Sequence, residues 1–243
     1  MSKQSWNESY PPIPIRPVGE SWPAWCHVPI NDLSDCIQAV GIDLGSIRRI
    51  LDLGGGDGRR TINALMRNQR LNRDDVHVVC IDHSSNAIMW GVDLWSRVRS
   101  GETISELPFD PGLSPRWSME FREEDALSLP SELAERRQDL VIDWMFLHGL
   151  GADDIKKYFH SVERLQPRYF LLKCFSVEGS SLSTLPRAVH DVEKKQWHQS
   201  ELTSALGHRY QLQCPPRQCP EDLRPLHPDG PIAAKREYCY VRK

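Results

Sequence analysis

Ile50-Leu51-Asp52-Leu53-Gly54-Gly55-Gly56-Asp57-Gly58 begins as a short apolar run and stops at glycines. A strand covered on both faces reads this way, as a brief unbroken series of Ile and Leu. Gly54, Gly56 and Gly58 alternate just past it, and a helical pattern follows. Glycine tolerates positive φ and lets the main chain come close to a ligand. No Gly-Lys-Ser/Thr follows, so the loop is not a phosphate-binding P-loop. Its spacing, G-x-G-x-G, also departs from the dinucleotide fingerprint G-x-G-x-x-G. Asp52 at the strand end would repel a pyrophosphate, whereas it can hold a cationic amino group.

Working outward, the pattern alternates strands and helices. Before the loop, Asn31 or Ser34 can cap a short helix carrying Leu33, Ile37 and Val40. After it, Ile62, Leu65 and Met66 share one helical face. His77-Val78-Val79-Cys80-Ile81 is a second buried strand ended by Asp82, and Ser84 or Ser85 caps a helix whose face carries Ile88, Val92, Trp95 and Val98. Gly101, Pro108, Pro111, Gly112 and Pro115 break residues 100–116 into an inserted loop. Short strands are expected at 117–121, 140–142 and 169–174. A helix with Ile155, Tyr158, Phe159, Val162 and Leu165 on one face lies between the last two. Residues 201–206 read as helix, and 210–212 with 238–241 as a closing antiparallel pair. Such alternation predicts an α/β fold: a Rossmann-like, seven-stranded, mostly parallel sheet with an antiparallel last strand and helices on both faces. Ligands of such sheets sit at the carboxyl ends of the strands.

Residues 1–30 form a separate segment. Pro11, Pro12, Pro14, Pro17 and Pro23 forbid a long helix there. Trp6, Tyr10, Trp22 and Trp25 favour an arm that docks on the body over a disordered tail. Residues 31–243 then make up the main domain.

The glycine loop resembles motif I of the class I S-adenosylmethionine-dependent methyltransferases, (D/E)-x-G-x-G-x-G. The likeness continues in order. Asp82 ends the second strand, where that family's acid binds the ribose hydroxyls. Glu124-Asp125-Ala126 follows the third, where its acidic side chain meets the adenine amino group. Asp139-Leu140-Val141-Ile142-Asp143 matches the fourth strand. Leu165-Gln166-Pro167-Arg168 resembles the Leu-x-Pro-Gly turn into the fifth, with Arg168 replacing the usual glycine. Lys235-Arg236-Glu237-Tyr238-Cys239-Tyr240-Val241 resembles the last strand. The resemblance implies S-adenosyl-L-methionine as cofactor. It implies contacts at Asp52, Gly54, Gly56, Gly58, Asp82, His83, Asp125, Ala126, Asp143 and, from the arm, Tyr10; Glu124 is the alternative to Asp125.

The methyl acceptor leaves a fainter trace, because the cofactor supplies the electrophile and the enzyme mainly aligns the nucleophile. Asp143-Trp144-Met145-Phe146-Leu147-His148 follows the fourth strand, a loop that borders the methyl group in the family. Asp143 and His148 are candidate bases or orienting groups, and Trp144 and Phe146 can stack on an acceptor. The first reading is a small-molecule acceptor methylated on O, N or S. It is supported by a near-neutral charge of −3, from 30 basic and 33 acidic residues, and by Trp6 and Tyr10, which resemble the W-x-x-x-Y preceding many small-molecule methyltransferase cores. The second is RNA ribose 2′-O-methylation, because Lys173 and Glu237 resemble two members of a Lys-Asp-Lys-Glu tetrad. Asp143 stands one residue early for that tetrad, and its first lysine has no counterpart. A third is a cofactor-binding protein that transfers nothing.

Charge and composition show no large basic footprint for nucleic acid. No apolar run approaches the roughly 18 residues of a membrane span, and no apolar segment marks the N-terminus as a secretory signal. Seven scattered cysteines suit free thiols in a reducing compartment, so a cytoplasmic location is expected. Cys214-x4-Cys219 lacks a second ligand pair, so no metal is expected. Oligomeric state is not legible.

Overall fold

The structure is a computed structural model that describes residues 32–104, 107, 113–176, 196–218 and 235–243. The proline- and tryptophan-rich arm, with Trp6 and Tyr10, lies outside the described residues. The strand order is β3-β2-β1-β4-β5-β8-β6, with β7 paired to β8 off that path. The expected sheet is therefore present, with the two-residue β7 as an eighth strand. The chain divides into two compact units, Ser2–Ala126 and Leu127–Lys243.

In the first unit, α1 (Asp32–Ala39) precedes β1 (Arg49–Leu53), α2 (Arg59–Met66), β2 (His77–Asp82), α3 (Ser85–Arg99) and β3 (Ser118–Glu123). The three strands are parallel, with Leu53 opposite Ile81 and Asp82 opposite Glu123. Ile50, Leu51, Leu53, Val78, Cys80 and Ile81 are fully buried, as continuous apolar strands require. Ser84 caps α3 by accepting a hydrogen bond from the Ala87 N–H at 3.2 Å. Of the two caps expected for α1, Ser34 is a buried residue inside the helix, and Asn31 lies outside the described residues.

Of the face expected on α3, Trp95 and Val98 are buried and Ile88 is half-buried, but Val92 is 52% exposed, and Ala87, Trp90 and Gly91 are buried in addition. Gly91 accounts for the difference. A Cβ there would lie 2.3 Å from the Phe121 ring, so the helix can lie against β3 only with hydrogen at this position. The same ring is 2.8 Å from where a Gly58 Cβ would stand. Hydropathy gives glycine no weight, so the sequence pattern took in Val92 and left out Gly91. After α3, Ile104, Leu107 and Trp117 are buried, and Trp117 stacks on Trp95 with centroids 4.4 Å apart.

In the second unit, α4 (Ser131–Glu135), β4 (Leu140–Trp144), a 3₁₀ turn (Leu147–Gly149), α5 (Ala152–Leu165), β5 (Tyr169–Phe175), α6 (Gln199–Leu206), β6 (Tyr210–Leu212), β7 (Arg217–Gln218) and β8 (Lys235–Arg242) follow. β5 pairs parallel with β4 and antiparallel with β8. β6 pairs antiparallel with β8, the closing pair read from sequence. Tyr158, Phe159, Val162 and Leu165 bury the inner face of α5. That helix ends at Gln166, whose φ of 46° turns the chain before Pro167. A left-handed residue followed by proline is a standard helix stop.

Candidate functional site

The glycine loop leaves β1 and enters α2. Gly54, Gly56 and Gly58 have φ of 63°, 61° and 68°, a region that side chains with Cβ rarely adopt. The loop is tied to β2 twice: the Gly55 N–H donates to the Ile81 carbonyl at 3.1 Å, and the Gly56 N–H to Asp82 Oδ2 at 3.1 Å. Asp82 Oδ1 accepts the Ser84 N–H at 2.8 Å. Each Asp82 oxygen thus takes one main-chain donor and keeps acceptor capacity for another. The Glu124 N–H donates to the Asp82 carbonyl, which brings the end of β3 alongside. The expected cofactor residues Gly54, Gly56, Gly58, Asp82, His83, Asp125 and Ala126 therefore all lie at the carboxyl ends of adjacent strands. Asp125 is exposed and Ala126 is buried.

The Asp52 carboxylate turns under the loop, where Oδ2 accepts from Thr61 Oγ1 at 2.6 Å. A Cβ on Gly55 would stand 2.4 Å from that oxygen. Burial pushes the Asp52 carboxyl up to about 6, against the opposing pull of the Thr61 bond. Burial also raises Asp82, with His83 and two main-chain donors opposing. Asp57, beside them, is buried and paired with Arg59, whose Nε lies 2.7 Å from Asp57 Oδ2. The first turn of α2 thus braces the loop through Arg59 and Thr61. Neither residue has a counterpart in the glycine motif, so sequence reading missed both.

In the second unit, the end of β4 carries Asp143, which has no exposed surface. Its Oδ1 accepts the Phe146 N–H at 2.8 Å, its Oδ2 the Leu147 N–H at 3.1 Å, and the Tyr158 hydroxyl also donates to Oδ2. Asp143, read as a candidate base or orienting group, thus also pins the turn after β4 through three donors. Burial and the Asp143 charge hold the Tyr158 hydroxyl well above its usual range. Met145 in that turn has φ of 81°, and its N–H donates to the Lys173 carbonyl at 2.9 Å. His148 lies in the 3₁₀ turn, but its side chain is outside the described residues.

Lys173, on β5 opposite Glu237, is 3% exposed, and Glu237 is 4% exposed. Lys173 Nζ is 3.8 Å from Glu237 Oε1 and 5.5 Å from the centroid of the Trp144 ring. Arg217 Nη1 reaches the other Glu237 oxygen at 3.8 Å. The structure therefore brings together Lys173, Glu237 and Trp144, and adds Arg217, which sequence reading missed because β7 is too short to leave a pattern.

No protein-family model matches the chain, and no curated protein matches it. Solved structures do. Magnesium protoporphyrin IX methyltransferase (ChlM) from Synechocystis with bound SAM is 14% identical, with a TM-score of 0.56 over 88% of this chain and 78% of that one. The 1,6-didemethyltoxoflavin-N1-methyltransferase of Burkholderia thailandensis is 16% identical, with a TM-score of 0.57 over 90% and 80%. The methyltransferase domain of bacterial CtHen1-C is 12% identical, with a TM-score of 0.55 over 88% and 96%. This chain has the class I methyltransferase fold. In that fold, the loop at 54–58 occupies the turn after the first strand, and β8 is the antiparallel strand that the sequence predicted.

Proposed function

We propose that the chain is an S-adenosyl-L-methionine-dependent methyltransferase that acts on a small-molecule acceptor in the cytoplasm. The glycine loop carries the reading: three positive-φ glycines form a bare main-chain bend tied to Asp82. The surroundings fit a cationic ligand. Asp82 acts electrostatically on Asp52 and Asp57 on Asp82, while Arg59 pairs with Asp57 and Arg60 offsets Asp52 only in part. A ligand bearing positive charge relieves that repulsion, whereas a pyrophosphate adds to it. When bound, the cofactor would supply an electrophilic methyl group on sulfur. Asp82 would accept the two ribose hydroxyls through its remaining lone pairs. Asp125 or Glu124 would meet the adenine edge, and Asp52 would compensate the ligand's charge from beneath the loop.

The acceptor side is supported by the turn after β4 and by Lys173. Lys173 holds its ammonium over the Trp144 ring in a buried pair. An ammonium there can stabilise negative charge that develops on an acceptor. Magnesium protoporphyrin and didemethyltoxoflavin, named for two structural neighbours, are small molecules. A second reading, RNA ribose 2′-O-methylation, draws on the buried Lys173–Glu237 pair and on the small RNA methyltransferase HEN1 among the neighbours, at 17% identity over 85% of this chain and 25% of that one.

Calorimetry tests the cofactor. The expected result is micromolar binding of S-adenosylmethionine, abolished by Gly56→Arg, which fills the bend, and weakened more than about tenfold by Asp82→Ala, which removes acceptors for the ribose. Unchanged affinity in folded Gly56→Arg protein overturns the site. A screen with labelled methyl donor against metabolite fractions and against RNA tests the acceptor. Transfer to RNA alone replaces the first reading with the second, and cofactor binding without transfer to either favours a non-catalytic protein.

A further inference from the structure

At the end of β5 opposite Lys173, the second unit carries a cleft of about 450 Å³ that the methyl-transfer reading does not use. Tyr210, the first residue of β6, lines it and is 3% exposed. Its hydroxyl is buried without a hydrogen-bond partner. Burial holds this phenol up at about 12, with Arg242 and Arg209 pulling it down and Glu163 pushing it up, so it stays a protonated donor. The charged groups that act on it are all lining residues of the same cleft.

Two guanidinium groups frame that donor. Arg242, the last residue of β8, bonds the Gln166 carbonyl and Oε1 through Nη1, both at 3.2 Å. These bonds fix the group while its Nε and Nη2 remain available. Arg209 Nη1 pairs with Glu163 at 3.2 Å, and its carbonyl accepts the Lys243 N–H at 2.9 Å, which sets Lys243 on the same rim. Three cationic side chains and Glu163 thus line the cleft around an orphaned donor. Arginine forks match tetrahedral and planar oxyanions in a bidentate way. The volume lies in the range of small-molecule sites.

We propose that this cleft binds a phosphoryl group, free or carried on a small ester, with the Tyr210 hydroxyl and the Arg209 and Arg242 guanidinium groups as donors. The excess of positive charge suits a dianion, and a phosphoryl oxygen gives Tyr210 the acceptor that the protein does not supply.

Thermal shift and calorimetry on the full chain test this, with inorganic phosphate and adenosine 5′-monophosphate as probes and chloride at matched ionic strength as control. The expected result is a saturable rise in Tm with phosphate beyond that with chloride. Arg242→Gln and Arg209→Gln each weaken it. Tyr210→Phe weakens binding about tenfold but leaves the unliganded Tm at or above that of the parent, because it removes a group with no partner. Tighter binding of the monophosphate assigns an ester, and equal binding assigns free phosphate. No response beyond chloride, or the same response in all three variants, overturns the proposal.

Discussion

At the scale of single residues, Asp52 shows how a site group strains its own fold. A carboxyl raised to about 6 from 3.8 holds a proton in the folded state that it has already lost in the unfolded one. The folded state therefore binds more protons between these values, and stability falls as pH rises from about 4 to about 6. Below that window both states are protonated, and above it the full cost stands. Asp52→Asn removes the charge and keeps an oxygen for Thr61. Its stability relative to the parent, measured by urea unfolding, should improve by ~2 kcal/mol between pH 4.5 and pH 7. A difference that does not change with pH would show that Asp52 is not buried as described. Phe121, with its ring against Gly58 and Gly91, is a residue whose meaning comes from what its neighbours lack.

At the scale of elements, that ring governs how α3 sits on β3. Alanine normally improves a helix interior over glycine by about 1 kcal/mol. At Gly91 the added Cβ meets the Phe121 ring at 2.3 Å, and overpacking of this kind costs roughly 1–3 kcal/mol. Gly91→Ala should therefore lower Tm despite its helix propensity. Because the ring also borders Gly58, the displaced side chain presses on the loop. Phe121→Leu in the same chain should recover most of the loss, and a double variant no more stable than Gly91→Ala alone would refute the wedge. The strands were legible because β1, β2 and β4 are short, apolar and bounded by Asp or Gly, and β5 is a short apolar run that follows Pro167-Arg168. The face of α3 was legible only in part, at Trp95 and Val98, because the glycine at its centre carries no hydropathy signal. The turn after β4 was half legible: the sequence marked Asp143, but its bond to Tyr158, fifteen positions on, depends on where α5 lies.

At the scale of the whole molecule, charge bears on the choice between acceptors. A net charge of −3 with interspersed signs provides little counterion release on nucleic acid. The small-molecule reading therefore expects weak RNA retention in a mobility assay at low salt, with affinity falling only shallowly as salt rises. Tight binding with a steep salt dependence would favour the RNA reading. Among the described residues no helix is long and apolar enough to cross a membrane. The order of motifs along the chain conveyed the architecture because each motif marks a strand end. It could not convey the cleft around Tyr210, whose walls come from α5, β6 and β8 and share no local pattern.

Met145 holds a backbone angle that a side-chain-bearing residue adopts only where its surroundings leave no alternative. The bend it forms is fastened from inside by Asp143 and from the side by β5. A bend secured on both sides does not mould itself to a guest. If the methyl acceptor lies against it, as the proposed function has it, close analogues should be sorted sharply by their outline.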